Sequence, residues 1–218
     1  MPDMNIRSPF LLSIVLAALL VFLGGCGREQ PRQPSLPPGA AVLAIGDSIT
    51  HGTGAGEGMD YPARLAAITG WSIHNHGIPG DTAAGVDGRI AAALNDTQPV
   101  LVLLEIGGND FLRQTPEAEV KERIRATLKQ IRSRGIPVAL VAVPRFSPLG
   151  AVLGRLPDAP LYAELATEEN VAVVPDVLAD VLSEDELKAD AIHPNGPGYQ
   201  RMAEGVADAL TRSGFYRR

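Results

Sequence analysis

The sequence predicts an α/β protein: three layers, α/β/α, around a flavodoxin-like five-stranded parallel sheet. Two observations carry this. Plausible strands at Ala41–Ile45, Trp71–Asn75, Val100–Ile106, Ile136–Val143 and Val171–Val174 alternate with helical patterns, the order that builds a doubly wound sheet. The first of them is continuously small or apolar and the third nearly so, as strands covered on both faces are. Each then breaks sharply, at Gly46-Asp47-Ser48 and at Gly107-Gly108-Asn109-Asp110. Open parallel sheets place chemistry at the carboxyl ends of strands, so Ser48 and Asn109 stand where reacting groups would.

The chain has 218 residues, enough for one domain with a full core, and a net charge of -6. That balance, with no Lys/Arg block, argues against a nucleic-acid partner. Cys26 is the sole cysteine, so the folded region holds no internal disulfide, thiolate cluster or cysteine nucleophile. Residues 1–25 are expected to be a signal peptide. Arg7 gives a weak basic start, although Asp3 is unusual there and leaves Met1 or Met4 as the start. The 14 apolar-core residues from Phe10 to Leu23 fall short of the roughly 20 that span a bilayer. Residues 26–40, with Pro31, Pro34, Pro37 and Pro38, read as an extended tether. The folded domain is then 41–218.

After the first strand, Gly52–Gly58 lacks both the G-x-G-x-x-G spacing and a P-loop Lys-Ser/Thr pair, so a loop leading into a helix is expected instead of a phosphate cradle. That helix is Tyr61–Thr69, with Pro62 in its first turn and Gly70 ending it. His74 and His76 share one face of the second strand. No third ligand accompanies them, and polar residues at a strand end explain them as well. Gly80 opens a helix over about Thr82–Leu94, where free N–H groups favour an anion. Glu105 interrupts the third strand, either as a buried hydrogen-bonded carboxyl or as a partly exposed strand end. Glu117–Arg134 is amphipathic through Val120, Ile124, Leu128 and Ile131, with Glu119 and Arg123 as an i,i+4 pair. In the loop from Pro144 to Pro160, Leu149, Val152, Leu153 and Leu156 either line an acyl groove or seal the loop onto the sheet. Leu161–Asn170 is the next helix, and a last one begins at Pro197 with Met202, Val206 and Leu210 inward.

A serine hydroxyl needs a base, an orienting carboxylate and an oxyanion hole before it attacks a carbonyl. Asp190 and His193, three apart, can meet within one turn so that the carboxylate holds Nδ1–H and Nε2 faces outward. His51 also follows Ser48 closely but carries no such orienter. Asp47 reads as a cap for the helix after the strand, and Asp110 as a residue that fixes a loop.

Gly-Asp-Ser-Ile at 46–49, Gly80 in Gly-Ile-Pro-Gly-Asp-Thr, Gly-Gly-Asn-Asp at 107–110 and Asp-x-x-His at 190–193 together resemble the four blocks of the SGNH (GDSL) hydrolases. The wording around them is similar to the periplasmic thioesterase, lysophospholipase and arylesterase branch. The resemblance implies Ser48 as nucleophile, His193 as base and Asp190 as its orienter. It implies an oxyanion hole from the N–H groups of Ser48 and Gly80 and the Asn109 side chain. The expected activity is hydrolysis of acyl esters or thioesters, small or lipid, by a monomer without metal or organic cofactor. A carbohydrate O-acetylesterase and a non-catalytic binding lipoprotein are the alternatives. Leu23-Gly24-Gly25-Cys26 resembles a bacterial lipobox, which implies lipidation at Cys26. Gly27 after it favours the outer over the inner membrane.

Overall fold

The computed structural model describes residues 35–145 and 156–218. Five strands form one parallel sheet in the order β2-β1-β3-β4-β5: β1 Ala41–Gly46, β2 Ser72–Gly77, β3 Leu101–Glu105, β4 Val138–Val141 and β5 Ala172–Val174. Because the pairing is parallel throughout, all five carboxyl ends lie along one edge. Eight α-helices are described, α1 Ser48–His51, α2 Tyr61–Thr69, α3 Ala83–Thr97, α4 Gly108–Leu112, α5 Glu117–Arg132, α6 Leu161–Glu168, α7 Val177–Ser183 and α8 Gly196–Arg212, with a 3-10 turn at Asp185–Leu187. The first crossover runs from β1 outward to β2 and the later ones in the opposite direction. Right-handed connections therefore put α2 on one face and α3, α5 and α6 on the other. The last helix, α8, returns to pack on α2 and α7.

β1 and β3 lie at the centre, and Val42 to Ile45 and Leu101 to Leu104 are fully buried. The strand order reverses between them, which makes their carboxyl ends the switch point of the sheet. β2 is an edge strand of largely exposed polar residues, and among the described residues no cluster of three metal-ligating side chains includes His74 and His76. The expected strands and helices recur with their ends shifted by one to three residues, and Tyr61–Thr69 recurs unchanged.

Three particulars differ from expectation. Leu36 and Gly39, expected to belong to a tether, lie on the domain: Leu36 N–H donates to Phe215 O at 2.8 Å and Gly39 N–H to Gly70 O at 2.7 Å. Glu119 and Arg123 do not pair; Arg123 lies 3.9 Å from Asp87 of α3. The cations of α5 instead bridge to α6, Lys121 to Glu164 and Glu168, and Arg125 to Glu168 and Glu169. Arg125 also pairs within the helix, with Glu122 at 3.2 Å. The expected signal peptide, Cys26, and Leu149, Val152 and Leu153 lie outside the described residues.

Candidate active site

Asp47 leaves β1 and caps α1, its Oδ1 accepting Ile49 N–H at 3.0 Å. This fixes Ser48 as the first residue of the helix, with its hydroxyl at the edge of the sheet. Ser48 Oγ lies 3.0 Å from His193 Nε2, and His193 Nδ1 lies 2.8 Å from Asp190 Oδ2. Residues 145 apart in the chain are thus within hydrogen-bonding reach.

The Asp190–His193 segment is not the helical turn expected from its spacing. Asp190 Oδ1 accepts the N–H groups of Ile192 and His193, each at 2.9 Å, which closes a local turn. An antiparallel bridge between Lys188 and Pro194 then seals the base of that turn. One carboxylate oxygen therefore shapes the backbone while the other holds the ring. Burial alone would raise the Asp190 carboxyl, but the bonds from the His193 ring and from the two N–H groups outweigh it and hold it below the usual range. An ionised Asp190 requires the proton on Nδ1, so Nε2 presents its lone pair to the serine.

The glycine-rich loop after α1 supports this turn from below. A methyl group on Gly54 would stand 2.6 Å from Pro194 O and 2.8 Å from the Ala189 Cβ, and the residue has φ of +94°. Only glycine lets the two loops touch. Tyr199 of α8 donates to Thr53 O at 2.8 Å and ties the same contact to the core.

Gly80 and Asn109 lie past the carboxyl ends of β2 and β3. Among the described residues no acceptor is bonded by the backbone N–H of Ser48 or of Gly80. Arg113 grips the Gly80 carbonyl at 3.0 Å. The Asn109 side chain donates to Asp47 Oδ2 at 3.1 Å and to Asp81 O at 3.0 Å. Both partners are acceptors, so the amide nitrogen faces them and both of its hydrogens are engaged. A negative oxygen arriving here must take one of them. The neutral Asp81 carbonyl is the weaker of the two competitors, since charge-assisted bonds are roughly twice as strong as neutral ones.

Asp110 fixes a loop as expected, its Oδ2 accepting Ala83 N–H at 2.9 Å. Glu105 is completely buried, which settles the choice left open by the sequence. Leu156 is buried as well, its N–H 3.3 Å from Ser183 Oγ, and so seals its loop. Among the described residues, the apolar wall beside Ser48 is formed by Leu112 of α4, Val143, Leu178 and Leu182 of α7, and Ile192. Together with Ser48, Asn109 and His193 these residues line a cleft open to solvent.

One residue the sequence reading passed over organises three of these loops. Arg89 of α3 donates from Nε to Asp81 Oδ2 at 2.8 Å, from Nη1 to His76 O at 2.9 Å and from Nη2 to Gly46 O at 2.9 Å. It therefore clamps the ends of β1 and β2 to the segment that carries Gly80. Its signal lay in the pattern: Arg89 sits at i+3 from Val86 and i−4 from Ala93, on the buried stripe of α3, where a cation needs partners.

Residues 44–201 match the model of the GDSL-like Lipase/Acylhydrolase family. The chain is 31% identical over 180 residues to an Esterase TesA of Pseudomonas aeruginosa, across 78% of this chain and 87% of that one. It is 29% identical over 174 residues to the Thioesterase 1/protease 1/lysophospholipase L1 of Escherichia coli K12, across 78% and 82%. Among solved structures, a crystal structure of TesA superposes with a TM-score of 0.68 at 29% identity, covering 79% of this chain and 98% of that one. AlinE4, an esterase of the SGNH-hydrolase family, superposes at 0.63 and 29%, covering 82% and 98%. By sequence and by fold, the chain belongs to the GDSL-like lipase/acylhydrolase (SGNH hydrolase) family and is a hydrolase of the esterase kind.

Proposed function

We propose that the enzyme hydrolyses acyl esters or thioesters through an acyl-enzyme formed on Ser48. The single observation that supports this most is the unbroken relay of 3.0 Å and 2.8 Å from Ser48 Oγ through the His193 ring to Asp190. In the first half-reaction Ser48 Oγ bonds to the acyl carbon while its proton passes to His193 Nε2. The bond to the leaving oxygen or sulfur then breaks, and that atom takes the proton from Nε2. In the second half-reaction water bonds to the acyl carbon, gives its proton to Nε2, and Ser48 leaves with that proton restored. Asp190 keeps the ring in the required tautomer and stays ionised. The tetrahedral oxygen takes the N–H groups of Ser48 and Gly80 and the Asn109 hydrogen released by Asp81 O. Each such donor contributes about 3 kcal/mol to the transition state.

The apolar wall of Leu112, Val143, Leu178 and Leu182 favours an acyl chain over an acetyl group. The relatives named esterase, thioesterase/lysophospholipase and arylesterase lend weight to the same reading. One copy supplies every group in the relay, so a monomer suffices. We further infer a lipoprotein of the cell envelope: residues 1–25 removed as a signal, Cys26 lipidated, the Pro-rich stretch after it a tether, and the domain facing the periplasm from the outer membrane. Cys26→Ala would then leave the membrane fraction while keeping its activity. The catalytic reading is tested by Ser48→Ala on p-nitrophenyl esters of increasing chain length. Hydrolysis should fall at least about 10³-fold for every chain. Retention of most of the activity overturns the assignment.

A further inference from the structure

Beneath Ser48 lie two carboxyl groups that acyl transfer does not use. Asp47 is 2% exposed and Glu105 is 0% exposed. Glu105 ends β3 opposite Gly46, so close that a methyl group on Gly46 would stand 2.8 Å from Glu105 Oε2. Thr50 Oγ1 donates to Oε2 at 2.8 Å and lies 3.3 Å from the Tyr61 hydroxyl. Glu105 Oε1 is buried, and among the described residues no donor reaches it. Asp47 is satisfied differently, with Ile49 N–H on one oxygen and the Asn109 amide on the other.

Both carboxyl groups line the floor of the same cleft, Glu105 opposite Gly46, the residue before Asp47. The other titratable groups facing them are His193 from the loop before α8, Tyr61 of α2, Tyr162 of α6 and Tyr199 of α8. None of these is a permanent cation, and of two neighbouring carboxyl groups buried this deeply one is driven to keep its proton. One proton between them turns repulsion into a hydrogen bond. Both groups accept hydrogen bonds, but Glu105 is enclosed completely within the sheet whereas Asp47 meets the Asn109 amide at the cleft, so the charge is less costly on Asp47. Burial raises both groups, and the Asp47 charge raises Glu105 further, so Glu105 is the last to ionise.

We propose that Glu105 holds a proton at neutral pH and donates it to Asp47, acting as a positioning residue for Asn109. Asp47 then stays the charged acceptor that anchors one Asn109 hydrogen, while the other, resting on Asp81 O, is free to move to the oxyanion. The inference rests on Asn109 being an oxyanion donor, as read above.

The test uses the full chain in detergent, as wild type, Glu105→Gln, Glu105→Leu and Ser48→Ala. Infrared spectra at neutral pH should contain a protonated-carboxyl C=O band in the wild type and in Ser48→Ala that is missing from Glu105→Gln. Glu105→Leu should lose at least about tenfold in kcat with KM within about twofold. Glu105→Gln, which keeps a neutral donor to Asp47, should recover most of that loss. A wild-type spectrum without the band, a band that persists in Glu105→Gln, or equal kcat in the Leu and Gln variants would overturn the proposal. Activity retained in Ser48→Ala would instead overturn the nucleophile assignment, and the infrared result would still decide where the proton is.

Discussion

Replacing Arg89 with methionine, which keeps the length and apolar stem of the side chain, removes one cation and three hydrogen bonds of 2.8–2.9 Å. Bonds to charged groups contribute about 1.5–3 kcal/mol each, and breaking a buried pair costs about 3–5 kcal/mol. The Arg89 side chain is 22% exposed and Asp81 12%, so water partly replaces what is lost. The expected destabilisation is then about 3 kcal/mol. For a domain of this size that corresponds to a fall in melting temperature of roughly 6–12 °C. The same change should lower kcat more than it raises KM, because the segment that carries Gly80 would no longer be clamped to the ends of β1 and β2. Arg89→Lys should fall between the two, since one ammonium cannot span three acceptors on three segments. The assays are thermal unfolding followed by circular dichroism and steady-state ester hydrolysis. An Arg89→Met protein that melts within about 2 °C of the wild type, with unchanged kcat, would refute the clamp.

Other predictions address neighbouring parts of the same edge. Gly54→Ala should push the 189–194 turn away from Ser48 and cost on the order of 10²-fold in kcat, measured beside a wild-type-like far-ultraviolet spectrum. Asp190→Asn presents an amide to Nδ1 and favours the wrong ring tautomer. Because Asp190 is 54% exposed, water moderates the loss, and kcat should fall on the order of 10³-fold in single-turnover assays. Burial, aided by the Asp176 and Asp180 charges, raises the Asp158 carboxyl to about 6. Its folded value thus exceeds the unfolded one, and its favourable contribution to stability is lost as pH rises from about 4 through about 6. Asp158→Asn should therefore melt higher than wild type at pH 8, with the gap closing toward pH 4; a gap that widens in acid would contradict the sign.

Much of the fold was legible because covered parallel strands are continuously apolar and their ends are marked by glycine. The pattern of Val42 to Ile45 followed by Gly46-Asp47-Ser48 needed no partner to be read. The four catalytic-type blocks were legible for a similar reason, since each is a short local signature at a strand end or a loop. What escaped depends on contacts through space. The helix Gly108–Leu112 begins with glycine and spans five residues, too short for a period to show. Val177–Ser183 is apolar on several sides, and its stretch reads equally as strand, loop or helix. Glu105 could be flagged as costly, but whether it was buried depended on Gly46 and Thr50, 59 and 55 residues away. The two engaged hydrogens of Asn109 were invisible for the same reason: Asp47 and Asp81 O reach it from different loops.

The most direct measurement of the central claim is intact-mass and peptide-mapping spectrometry after treatment with a fluorophosphonate. The account predicts one adduct per chain, located on Ser48, formed slowly or not at all in His193→Ala and blocked by prior exposure to an acyl ester. An adduct on another serine, or an active enzyme that takes none, would contradict it.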